Sequence, residues 1–68
     1  MTRKIEIYSG KIKGRKAGIF IACDGIEELG EVYIEIDGKA IHGYTLEDLT
    51  NGRVLIALNQ NILYLNDR

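Results

Sequence analysis

The sequence predicts a small, mainly β, all-β domain: a barrel or curled antiparallel sheet of five to six short strands with one short helical turn. Three observations predict it. Short apolar runs show the two-residue alternation of strands, eight glycines fall at the ends of those runs, and proline is absent throughout. A layout of short strands with glycine corners suits a closed or strongly bent sheet, because closure removes exposed edges.

Taken in order, Lys4-Ile5-Glu6-Ile7-Tyr8 alternates strictly, with Ile5 and Ile7 on one face. In the next run Ala17, Ile19, Ile21 and Cys23 share one face with Phe20 and Ala22 opposite, the pattern of a strand covered on both sides, ended by Asp24-Gly25. Residues 25–30 read as a loop whose Ile26 and Leu29 fold back on the core, since six residues between glycines cannot hold a helix alone. Glu31-Val32-Tyr33-Ile34-Glu35-Ile36-Asp37 has the cleanest alternation, with Val32, Ile34 and Ile36 inward and Glu31, Tyr33, Glu35 and Asp37 toward solvent. Asp37-Gly38 tolerates the left-handed geometry of a type I′ turn, so Lys39-Ala40-Ile41-His42-Gly43-Tyr44 returns antiparallel.

Thr45-Leu46-Glu47-Asp48-Leu49 carries an N-cap hydroxyl, first-turn carboxylates and a Leu pair at i and i+3, with Asn51-Gly52 at the left-handed stop, so one helical turn is expected over residues 45–51. The last two runs, residues 53–58 and 62–65, are expected to form a terminal hairpin about Asn59-Gln60-Asn61.

Sixty-eight residues form a single domain over residues 1–68, and such a domain buries only about 60% of its unfolded surface. Staples are scarce: Cys23 is the only cysteine and His42 the only histidine, which excludes an internal disulfide and leaves no metal-ligand set and no cofactor motif. A lone cysteine in an apolar run fits a reducing compartment, and the basic start is followed by no apolar signal segment, so a cytoplasmic protein is expected. No apolar run exceeds five residues, so no membrane span is expected.

Charge is strongly segregated. Residues 1–16 carry six basic side chains and one acidic, whereas residues 17–50 carry one basic and eight acidic. The basic half centres on Gly10-Lys11-Ile12-Lys13-Gly14-Arg15-Lys16-Ala17-Gly18, read as a glycine-rich loop that lays Lys11, Lys13, Arg15 and Lys16 along a nucleic-acid backbone, with Tyr8 as a stacking ring. Its glycine spacing is not that of a phosphate-binding loop, and a strand rather than a helix follows it. The plain alternative is a solvated, solubilising loop.

The stretch from Ile5 through Gly10-Lys11-Ile12-Lys13-Gly14 to Gly18-Ile19 resembles the KOW motif of SH3-like barrels in ribosomal proteins and transcription elongation factors. The likeness covers the first third of the chain and departs from the pattern at Ala17, which adds a residue between Gly14 and Gly18. It implies an SH3-like barrel and contact with RNA or DNA through Lys11, Lys13, Arg15 and Lys16.

The acidic half, Glu27, Glu28, Glu31, Glu35 and Asp37 with Tyr33 among them, reads as a face that docks on a basic protein partner, or as one neutralised by the basic loop within the fold or across a dimer. His42 and Cys23 have no apposed acid, base or nucleophile in sequence, so neither is assigned a catalytic role and no enzyme is expected. The reading that follows is a small non-enzymatic binding module, a regulator or inhibitor that docks through Glu31, Tyr33, Glu35 and Asp37. A KOW-like nucleic-acid-binding module is the alternative. The thin core and complementary charges also point to a homo-oligomer.

Overall fold

The computed structural model describes residues 2–24 and 30–67. Four strands form one antiparallel meander: β1 (Thr2–Ile12), β2 (Arg15–Asp24), β3 (Val32–Ile36) and β4 (Lys39–Tyr44), in the spatial order β1-β2-β3-β4. Two helices follow, α1 (Leu46–Thr50) and α2 (Arg53–Asn66). The expected β-rich domain is present, but as an open sheet with β1 and β4 at its edges. The barrel, SH3-like or otherwise, and the five or six strands are therefore corrected to four strands and a two-layer arrangement.

The terminal hairpin is the larger correction, because residues 53–66 are one helix. Val54, Leu58 and Ile62 recur every four residues and are fully buried, while Asn59 and Gln60 fall on the exposed side. The Asn residues that look like turn formers donate instead to carbonyls one helical turn back, Asn59 to Leu55 and Asn61 to Ala57. Burial of one stripe against the sheet decides between the two conformations.

Local chemistry accounts for the remaining boundaries. Asp37 and Gly38 take φ of 53° and 86°, the left-handed pair of a type I′ turn, and place Ile36 opposite Lys39 as expected. Lys13 and Gly14 do the same at 50° and 81°, so the glycine-rich loop contracts to a two-residue turn and both its arms are strand. At α1, Thr45 caps the helix by accepting from the Asp48 amide, and the Asp48 carboxylate accepts from the Thr45 amide. Gly52, at φ 85°, then separates α1 from α2.

Register assigns the two faces of the sheet. Ala17, Ile19, Ile21 and Cys23 of β2 and Val32, Ile34 and Ile36 of β3 face α2 and close the core with Val54, Leu58 and Ile62. Ile41, Tyr44, Leu46 and Leu49 pack around its margin. A bulge between Glu6 and Tyr8 shifts β1 by one residue, so Ile5 pairs with Ile21 and Tyr8 with Ile19 on the helix side. Helix α2 packs chiefly on β2 and β3, and Ile5, Ile7 and Tyr8 of β1 remain roughly 40% exposed. No helix among the described residues is long and apolar enough to cross a membrane.

Candidate functional site

Among the described residues no second layer covers the sheet face away from α2, yet two of its aromatic residues are buried. Phe20 on β2 and Tyr33 on β3 are paired directly, their rings stacked with centroids 5.4 Å apart and planes 25° from parallel. Tyr33 stacks in turn on His42 of β4, at 4.8 Å and 25°. The row runs across three strands because each two-residue turn or register match places side chains of the same parity side by side. A bulge near Gly43, at φ 109°, ends the row.

An ion pair braces the row at one end and an imidazole–carboxylate hydrogen bond at the other. The Lys4 ammonium lies 4.1 Å above the Phe20 ring and 3.1 Å from the Glu35 carboxylate. Chiefly that hydrogen bond to Glu35, opposed by desolvation and helped by the Glu35 charge, raises the Lys4 pKa above its ordinary value. At the other end Nδ1 of His42 is 2.5 Å from the Glu31 carboxylate. Between β1 and β3, absence of a side chain at Gly18 opens a shallow depression of about 360 Å³ lined by Lys4, Glu6, Ser9, Lys16, Phe20 and Glu35.

The expected acidic face is thus only partly a solvent face. Tyr33 is 8% exposed, sealed between Phe20 and His42 rather than projecting between Glu31 and Glu35. Glu31 and Glu35 flank it, each held by a cation or imidazole. Asp37 sits at the hairpin turn and binds Arg15 at 2.5 Å. Glu27 and Glu28 lie outside the described residues.

Of the basic group, Arg15 is drawn into the fold. Its guanidinium donates to Asp37 and to Asn66 Oδ1, both at 2.5 Å, and to the Leu65 carbonyl at 3.3 Å, tying the first hairpin to the last turn of α2. Lys11 and Lys16 are direct cross-strand partners on the open face, and Lys13 is at the turn. Tyr8 lies on the helix side of β1, with its hydroxyl against Gly10, so it does not share a face with Lys11 and Lys16.

Phe20, His42 and Lys4 are the members of this face that sequence reasoning missed. His42 was within reach: a two-residue turn at Asp37-Gly38 puts position 42 opposite position 33 by counting alone. Lys4 and Phe20 were not: the bulge at Ile7 shifts Lys4 by one residue against β2, and the connection between β2 and β3 is too long to set Phe20 against Tyr33.

Among the described residues no group of three or more His, Cys, Asp or Glu side chains is placed to hold a metal ion, and Cys23 is a buried free thiol. The arrangement can present an aromatic row flanked by acidic and basic side chains. Comparison with protein-family models, curated proteins and solved structures gives no match. What fold and site define is an open four-stranded antiparallel sheet backed on one face by a helix, with an ion-braced aromatic row on the other.

Proposed function

We propose that the chain is a small non-enzymatic binding module, a regulator or inhibitor that docks on a protein partner through the open face of its sheet. The observation that carries this reading is the row Phe20, Tyr33 and His42, held by the Lys4–Glu35 ion pair over Phe20 and by the His42–Glu31 hydrogen bond. A face whose long side chains are already held in place loses little side-chain entropy on docking, which favours affinity without a deep pocket. Alternating acid and base around an aromatic centre supplies register against a partner of complementary charge.

The test is recovery of a partner by the immobilised chain, compared with a Glu31→Lys/Glu35→Lys variant whose circular dichroism and unfolding midpoint stay near those of the parent. Loss of the partner with the fold retained supports the reading. Unchanged recovery removes this face from consideration.

Nucleic acid is the second reading, favoured by Lys11 and Lys16 standing side by side next to Lys13. It expects oligonucleotide binding at low salt that weakens steeply as salt rises and disappears when these three lysines are neutralised.

A further inference from the structure

Strand β1 is an edge strand of 11 residues whose residues 3–9 and Lys11 are all exposed, among them the helix-side residues Ile5 and Tyr8 and the bulged Ile7. An edge this long, whose outer backbone donors and acceptors pair with no strand among the described residues and lie beside an apolar face, is a template for another strand. We propose that its occupant is β1 of a second copy of this chain, paired antiparallel about a twofold axis at Ser9 to give one continuous sheet across both copies.

Charge and face together select that register. Paired residues must share a face, and the bulge at Ile7 means that Arg3, Ile5, Tyr8, Gly10 and Ile12 lie on the helix side while Lys4, Glu6, Ser9 and Lys11 lie on the open side. A twofold axis at Arg3, Lys4, Glu6 or Lys11 sets like charges directly opposite. An axis at Tyr8 sets Lys4 opposite Lys11 of the second copy, and one at Gly10 joins only residues 8–12.

An axis at Ser9, with Ile7 bulged in both copies, matches every face. Glu6 falls opposite Lys11 of the second copy, Ile5 opposite its Ile12, and Tyr8 opposite its Gly10. Glycine opposite tyrosine leaves room for both rings on the helix side, where the Tyr8 hydroxyl already leans over Gly10 of its own strand.

Only one other axis, at Ile5, opposes unlike charges, pairing Lys4 with Glu6. Lys4 is already held by Glu35 and the Phe20 ring. Glu6 and Lys11, by contrast, make no ion pair among the described residues. Lys11 also stands directly across from Lys16, a like-charge pair within the sheet that a carboxylate from the second copy relieves. Isologous pairing of β1 with β1 closes at two copies, whereas β1 on β4 would grow without end.

Sedimentation velocity on the whole chain tests this. The expected species at micromolar concentration has twice the 7.6 kDa chain mass. Glu6→Lys and Lys11→Glu each place like charges opposite one another twice per dimer and are expected to weaken association roughly ten- to a hundredfold. Combining the two reversals restores the opposite pairs and should restore the dimer.

Circular dichroism separates loss of dimer from loss of fold. Should a charge variant fail to fold, Ser9→Cys provides a second measurement, because the axis sets the two introduced thiols opposite each other and Cys23 is buried. Mild oxidation should then give a covalent dimer. A monomeric parent chain, dimers insensitive to the single reversals, no recovery in the double variant, or no Ser9→Cys cross-link would each overturn the proposal.

Discussion

Replacing Arg15 with alanine separates a structural arginine from a nucleic-acid-binding one, and the structure gives the size of the effect. Three acceptors lose their donor: Asp37 and Asn66 Oδ1 at 2.5 Å, and the Leu65 carbonyl at 3.3 Å. The Asp37 pair is partly exposed, with side-chain accessibilities of 30% for Arg15 and 45% for Asp37, so solvent screening limits it to about 0.5 kcal/mol. The bond to Asn66 adds about 1 kcal/mol. Loss of a cation at the C-terminal turn of α2, where carbonyls lack helical partners, adds about 0.5 kcal/mol.

The sum is about 2 kcal/mol. With a urea dependence near 1 kcal/mol per molar for a domain this small, the unfolding midpoint should fall by about 2 M with unchanged slope. Arg15→Lys should recover less than half of the loss, because one ammonium cannot span three acceptors that a planar guanidinium reaches at once. A midpoint shift below about 0.5 M, or full recovery by lysine, would refute the reasoning. An Arg15 whose role is to contact a phosphate backbone would instead leave stability almost untouched.

Two further outcomes follow from close approaches and charge. A Cβ at Gly30 would lie 1.7 Å from the Ala22 carbonyl oxygen, where the chain enters β3 and Ala22 donates to Glu31, so Gly30→Ala should cost about 3 kcal/mol or more in urea unfolding. Gly38→Ala, with nothing within 4 Å but a φ of 86°, should cost only about 1 kcal/mol, and a reversed order would count against the described path into β3. For Lys4 the folded-state pKa is raised, so its stabilisation is fully present below the ordinary value of 10.5 and is lost as pH climbs through the folded value above that. Urea midpoints followed from about pH 9 to 11.5 should fall more steeply in the parent than in Lys4→Met, and parallel curves would show that the Glu35 contact does not form in solution.

Elements specified by local chemistry are legible in the sequence alone. The capping box at Thr45 and Asp48 and the turn at Asp37-Gly38 each need only residues close in sequence. Helix α2 is not legible in the same way. Leu55, Ile56, Leu63 and Tyr64 lie outside its buried stripe and are half or more exposed, so the segment presents two continuous apolar runs that imitate strands. The stripe of Val54, Leu58 and Ile62 shows only when the run is read through Asn59-Gln60-Asn61 rather than broken there. The burial of Tyr33 escapes sequence reasoning for a related cause: alternation and the turn at Asp37-Gly38 set its face and its neighbour His42, but not that Phe20 arrives from β2 to cover its other side.

The segregation of charge along the chain acquires its meaning from strand order. Basic β1 and acidic β3 are separated by β2, whose residues 17–23 carry no charge, so their side chains face each other across two interstrand spacings, about 10 Å. Only a long side chain crosses that gap, and Lys4 does so by laying its ammonium over Phe20 to reach Glu35. Arg15, at the start of β2 and so next to β3, faces no such gap and bonds Asp37 at the end of the sheet, beside the last turn of α2. Glu6 and Lys11 have neither route, since Glu6 stands opposite Phe20 itself and Lys11 opposite another lysine. Their unlike charges lie on the same open side of an edge strand, at the separation that antiparallel self-pairing about Ser9 brings together. The internal pairs therefore account for the acidic strand, and Glu6 and Lys11 are the charges of β1 that the proposed pairing with a second copy would neutralise.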